Sequence, residues 1–115
     1  MNQQMRVAQT KLMELLRADQ VTAGMYVRVH GDHLIAGRNE RVGVDRTADT
    51  DDRVRFTRLG TNHYGVSVKR HTGRWQKTPF YATLEETVEA VCSVMQHLVA
   101  ASWTLYQNFR GAALV

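Results

Sequence analysis

The sequence predicts an α+β domain: an N-terminal helix, an antiparallel meander of four or five strands, and a long C-terminal helix, with both helices packed on one face of the sheet. Three observations carry this. The first residues repeat apolar side chains at helical spacing, and the middle of the chain alternates apolar and polar residues between glycine-centred turns. The last third opens on a capping box followed by apolar residues at steps of four and three.

From about Gln3 to Ala18, the positions of Met5, Ala8, Leu12, Leu15 and Leu16 define one side of a helix, with Arg6, Lys11, Glu14 and Arg17 mostly elsewhere. Ala23 and Gly24 break that period. Met25, Val27 and Val29 then alternate with Tyr26, Arg28 and His30, the pattern of a half-buried strand. Gly31-Asp32 is a two-residue turn with glycine first, which joins this strand to His33-Leu34-Ile35-Ala36 as a hairpin. Gly37 to Asp52 is polar and charged, and reads either as a short strand from Arg41 to Asp45 followed by a loop, or as one long mobile loop.

Alternation resumes from Arg53 to Leu59, turns at Gly60-Thr61-Asn62, and continues from His63 to Arg70 with Tyr64, Val66 and Val68 on one side. Thr72-Gly73 turns again into a last strand from Arg74 to Tyr81, whose Pro79 suits an edge or an exit. Thr83 and Glu86 have capping-box spacing. Leu84, Val88, Val91, Met95, Leu98, Ser102, Leu105 and Phe109 then extend a helix to about Asn108, roughly 37 Å long. Strands of six to eight residues span only about 20 to 27 Å. The overhang exposes Trp103, Leu105, Tyr106 and Phe109, an apolar patch expected to form a homodimer interface.

At 115 residues the chain is expected to be one domain. No leader peptide is recognisable at its start, and no window is apolar enough for a membrane span. Its single cysteine, Cys92, sits in an apolar helical pattern and is expected to be a buried free thiol, which fits a cytoplasmic location. The net charge of +4 is unevenly spread: acids gather in Asp45 to Asp52 and at the start of the last helix, and none lies between Arg53 and Leu84.

That acid-free stretch is the functional lead. It holds Arg53, Arg55, Arg58, Lys69, Arg70, Arg74 and Lys77 with His63 and Trp75, and alternation sets Arg28, His30, Arg53, Arg55, His63 and Lys69 on the face away from the helices. Cations on neighbouring strands repel, and a polyanion would relieve that cost. Nucleic acid, single-stranded by preference, or another polyanion is the expected partner, with Tyr26, Trp75 or Tyr81 offering stacking surfaces. Such a layout is similar to that of the Whirly-type single-strand binders, a likeness of architecture carried by no residue motif.

Competing readings exist. Those cations can be solvated decoration that discourages edge-to-edge aggregation, or the acids of Asp45 to Asp52 can fold back and pair with them. Alternatively the chain is a protein-interaction module or chaperone-like dimer working through its C-terminal helix. No enzyme is expected. His63 and His71 lie eight positions apart, about 26 Å along a strand, too far to share one phosphate. His30 and His33 flank a turn without a further ligand at recognisable spacing, so neither metal nor cofactor is expected.

Overall fold

The computed structural model of the chain describes residues 3–41, 48–70 and 72–99. Helix α1 (Gln3–Arg17) leads into strands β1 (Tyr26–His30), β2 (His33–Arg41), β3 (Ala48–Gly60), β4 (His63–Lys69) and β5 (Trp75–Ala82). Helices α2 (Leu84–Val94) and α3 (Gln96–Val99) follow. All neighbouring strands are antiparallel and the order is β1-β2-β3-β4-β5, an open meander.

Alternation decides which side chains are buried. Val27, Leu34, Ala36, Val54, Phe56, Tyr64 and Val66 join Met5, Ala8, Leu12 and Leu16 of α1 and Leu84, Val88 and Val91 of α2 in one core cluster. Phe56, at zero exposure, is the largest fully buried side chain among the described residues. Gln9 of α1 donates its Nε2 proton to the Val27 carbonyl at 2.8 Å, and Lys11 pairs with Glu85, so α1 is tied both to β1 and to α2.

Turns follow their residues. Gly31, with φ of 60°, occupies the left-handed region that the tight β1–β2 hairpin requires. Asn62, with φ of 49°, does the same between β3 and β4, and its Oδ1 accepts from the Leu84 N–H at 3.4 Å, anchoring the start of α2. The capping box is complete: the Thr83 hydroxyl accepts from the Glu86 N–H at 3.3 Å, and Glu86 reaches back to the Thr83 N–H at 3.4 Å.

Two sequence expectations are corrected. The first concerns Gly37 to Asp52: in place of one long loop, β2 and β3 run on as a paired ladder, Gly37 opposite Asp52 and onward to Arg41 opposite Ala48, while the short strand expected from Arg41 to Asp45 lies, beyond Arg41, outside the described residues. The step from Ala36–Val54 to Gly37–Asp52 leaves Arg53 as an extra residue, a bulge. A glycine is needed there because a Cβ at Gly37 would overlap the Asp51 carbonyl and the Tyr26 ring, whose Cζ lies 2.7 Å away.

The second concerns the C-terminal helix. Helix α2 ends at Val94, Met95 leaves helical geometry at φ −113° and ψ 23°, and the short α3 follows. That break lets both Met95 and Val99 enter the core, at 6% and 1% exposure, and presents the Val99 carbonyl to Arg38. Residues Trp103, Leu105, Tyr106 and Phe109, named for a dimer interface, lie outside the described residues.

Arg38 is the least expected member of the interior. It follows Leu34 and Ala36 in phase and is only 8% exposed. Its Nε donates to the Val99 carbonyl at 2.8 Å, and its two terminal nitrogens donate to the carbonyls of Ala23 at 3.2 Å and Val21 at 2.7 Å. One guanidinium thus fastens the end of α3 and the α1–β1 connection to β2.

On the edge strand β5, Tyr81 pairs with Gly65 and Lys77 with Ser67, so Thr78, Pro79 and Phe80 bulge opposite Val66. Proline withholds no ladder bond there. The Thr78 hydroxyl donates to the Val66 carbonyl at 2.8 Å in place of a backbone N–H.

Candidate nucleic-acid interface

The register builds the face turned away from the core cluster in rows. One row crosses all five strands as Arg28, Ile35, Arg55, Ser67 and Lys77. A second crosses as His30, His33, Thr57, Gly65 and Tyr81. Within the first row no two cations are neighbours, because Ile35 and Ser67 separate them by two strand spacings, about 10 Å. The mutual repulsion expected from the sequence is therefore small along this row. Long side chains also carpet the face, for Ile35 and Ser67 are each only 4% exposed.

The bulge at Arg53 changes the charge pattern. By simple alternation Asp52 would share a face with Val54, but the extra residue turns it towards β1. There it accepts the Tyr26 hydroxyl proton and two Arg28 hydrogen bonds, from Nε at 3.2 Å and a terminal nitrogen at 2.6 Å. Hydrogen bonding to Arg28, against the opposing effect of burial and with help from Tyr26, holds the Asp52 carboxyl below the usual carboxylate range. Burial, with Asp52 behind it, pushes the Tyr26 phenol well above its ordinary value, so it remains a donor.

A depressed carboxyl stabilises the fold above its unfolded value, near 3.8, and that contribution is lost as pH falls through the lower folded value. Wild type is expected to exceed Asp52→Asn by about 1 kcal/mol at pH 6, discounted for the exposure of Arg28. The gap should close below pH 4. Urea midpoints measured from pH 2.5 to 6 check this, and a gap independent of pH would reject the ion pair as its source.

The ten residues expected to bind nucleic acid do not form one set. Arg28 and Arg53 are matched by carboxylates of the same chain: Arg28 by Asp52, and Arg53 by Asp51 at 3.1 Å, its side chain only 12% exposed. Arg58 keeps phase with Phe56 and lines a groove of about 550 Å³ with Gln3, Gln4 and Val7 of α1, apart from the outer face. His63 is exposed at the start of β4, opposite Gly60.

The remaining six lie on β3 to β5 and the β4–β5 turn. The Arg55 guanidinium sits 4.9 Å from the centroid of the Trp75 ring. Lys69 is paired in register with Trp75, and Lys77 with Ser67. Arg70 hydrogen-bonds Gln76, and both Arg70 and Arg74 are exposed beside the turn that their backbones close at 2.8 Å.

Between the two rows lies a hollow of about 170 Å³, which the sequence alone did not reveal. Arg55, Ser67 and Lys77 line it from one row and His33, Thr57 and Tyr81 from the other, with Leu59 at its rim. His33 Nδ1 and the Thr57 hydroxyl are 2.8 Å apart. Burial and the Arg55 charge push the His33 imidazole down, so it is neutral at neutral pH. The Tyr81 ring covers Gly65, where a Cβ would lie 3.1 Å from its Cε1. Gly65, a glycine inside a strand, is the signal that could have pointed here.

Among the described residues, other titratable groups offer no second centre. Among the described residues, no cluster of three or more His, Cys, Asp or Glu side chains is disposed to hold a metal. Cys92 is half-buried rather than fully buried, and its Sγ lies 3.7 Å from the Thr22 hydroxyl. That hydroxyl spends its proton on the Leu16 carbonyl at 2.6 Å, so the thiol is the donor. Burial pushes the Cys92 thiol up, away from the reactive thiolate. Among the described residues no helix is long and apolar enough to cross a membrane. No known protein family, curated protein or solved structure matches this chain.

Proposed function

We propose that the chain binds nucleic acid, single strands by preference, or a comparable polyanion, through the β3–β5 half of its outer face, with both helices covering the opposite side of the sheet. One observation carries this reading: Arg55 is laid over Trp75 on a surface that also bears Lys69 and Lys77, within a stretch of sequence that has no acid. A guanidinium on an indole keeps its outward edge free for a phosphate while the pair offers a flat surface to a base. Arg70 and Arg74 extend the positive charge past the β4–β5 turn.

The Arg28–Asp52 pair narrows the sequence expectation, since the β1 half of the face is internally neutralised. Arg28, Arg53 and Arg58 are accordingly left out of the proposed contact surface. Lys69, Lys77, Arg70 and Arg74 supply the long-range attraction, and Arg55 with Trp75 the short-range contact.

Four phosphate contacts on a single strand give a slope of about −2.8 in log affinity against log salt, so a fourfold rise in salt weakens binding roughly 50-fold. Fluorescence anisotropy with labelled single and double strands at 50 and 200 mM salt is the test. The paired change Lys69→Glu with Lys77→Glu is expected to reduce affinity at least tenfold at low salt. Absence of binding at low salt, or binding indifferent to both changes, would reject the proposal.

A further inference from the structure

The hollow between the two rows differs from the rest of the charged surface by being recessed and rich in donors. Its Arg55 and Lys77 bring positive charge, and its Thr57 and Ser67 bring hydroxyls. No carboxylate lines it among the described residues. The Nε of Arg55 is buried and has no hydrogen-bond partner among the described residues, a donor left unmatched although the guanidinium rests on Trp75. His33 and Thr57 add a further donor whichever way their shared proton lies. If Nδ1 carries it, the Thr57 hydroxyl is free to donate; if the hydroxyl donates to Nδ1, the neutral imidazole carries its proton on Nε2.

Size narrows the occupant. At about 170 Å³ the hollow is well below the roughly 300 Å³ at which pockets begin to engulf whole small molecules. It has room for a compact tetrahedral anion, with the remainder of the ligand outside. A phosphodiester within a strand has two oxygens tied to sugars and must run past a recess. A terminal phosphomonoester presents three free oxygens and a charge of about −1.5 to −2, which suits convergent cations and hydroxyls.

We propose that this hollow holds the terminal phosphoryl group of a nucleic-acid strand, with the adjoining base against the Tyr81 ring at its rim. Tyr81 fits that part because it is 54% exposed while it covers Gly65, so it is positioned by the sheet and still accessible. The inference rests on the proposed binding of strands by this face, and it deepens that reading by assigning a preference for strand ends.

Strands of one sequence, internally labelled, are compared with a phosphate at the 5′ end, at the 3′ end, or at neither. At least one phosphorylated strand is expected to bind about tenfold more tightly than the hydroxyl-ended strand. Lys77→Gln, at an exposed position, and Arg55→Lys, which keeps the charge but removes Nε, should each cut that preference to about twofold. Equal affinity for all three strands, or a preference unchanged in both variants, overturns the assignment.

Inorganic phosphate, titrated while the Arg55 Nε–H resonance is followed by NMR, separates this proposal from the broader one. A saturable shift without strand binding supports an anion site and rejects the nucleic-acid reading. Strand binding of equal strength for every end, with no shift, keeps the face and rejects the hollow. Silence in both measurements rejects both.

Discussion

Replacing Phe56 with alanine is expected to cost about 4 kcal/mol, a large share of the roughly 6 to 17 kcal/mol by which a chain of 115 residues is stable. Phe56 lies on the central strand β3, between Leu34 of β2 and Val66 of β4 in register, and has no exposed surface. Its ring lies in the core cluster that joins residues of α1, α2 and the strands, so no single element can shift to fill the void. Phe56→Leu keeps most of the volume and should cost only about 1 kcal/mol. Urea midpoints of the two variants decide the matter. A loss below about 2 kcal/mol for the alanine variant would mean that the helices collapse onto the cavity.

Arg38→Met is expected to lower stability by about 3 kcal/mol through a different mechanism. Methionine matches the length of the side chain but makes no hydrogen bonds. The carbonyls of Val21, Ala23 and Val99 then lose their guanidinium donors, and burying an unmatched acceptor is costly. Arg38→Lys should recover less than half of the loss, because an ammonium cannot serve three carbonyls in a planar fan. Hydrogen exchange should show the first effects in α3 and in the connection around Val21 to Ala23, ahead of β3 and β4. A midpoint shift below about 0.5 M urea would show that water takes over the three acceptors.

Arg38 also explains what pattern reading could and could not supply. Periodicity finds buried positions by their apolar residues, and Met5, Leu12, Val27 and Val66 follow it into the core. At position 38 the same phase is occupied by a charge whose burial is offset by backbone acceptors far away in sequence, and nothing local announces them. For the same reason the outer half of β2 looked like loop. Gly37 was its one visible hint, a glycine inside a strand at the point where the Tyr26 ring crosses the backbone.

The cluster of cations was legible in composition but not in arrangement. Assigning Arg53 and Arg55 to one surface assumed unbroken alternation, whereas the bulge inserts Arg53 and turns Asp52 towards Arg28. Arg58 retained the phase of Phe56, which leaves it on the other side of the sheet. The stacking of Arg55 on Trp75 depends on the pairing of β3, β4 and β5, information that no single strand contains. The interruption of the C-terminal helix is not legible in the sequence because Met95 and Val99 fit a continuous heptad-like pattern equally well.

The two borders of the meander bear on how another molecule can approach. Along β1 the Val27 carbonyl is already occupied by Gln9, and along β5 a proline-bearing bulge interrupts the ladder. A visiting peptide therefore finds little continuous template for docking as a sixth strand, and self-association into ribbons is discouraged at the same time. On the proposed reading, contact falls to side chains lying across the sheet, which favours ligands that are read by charge and shape over those that extend a backbone network.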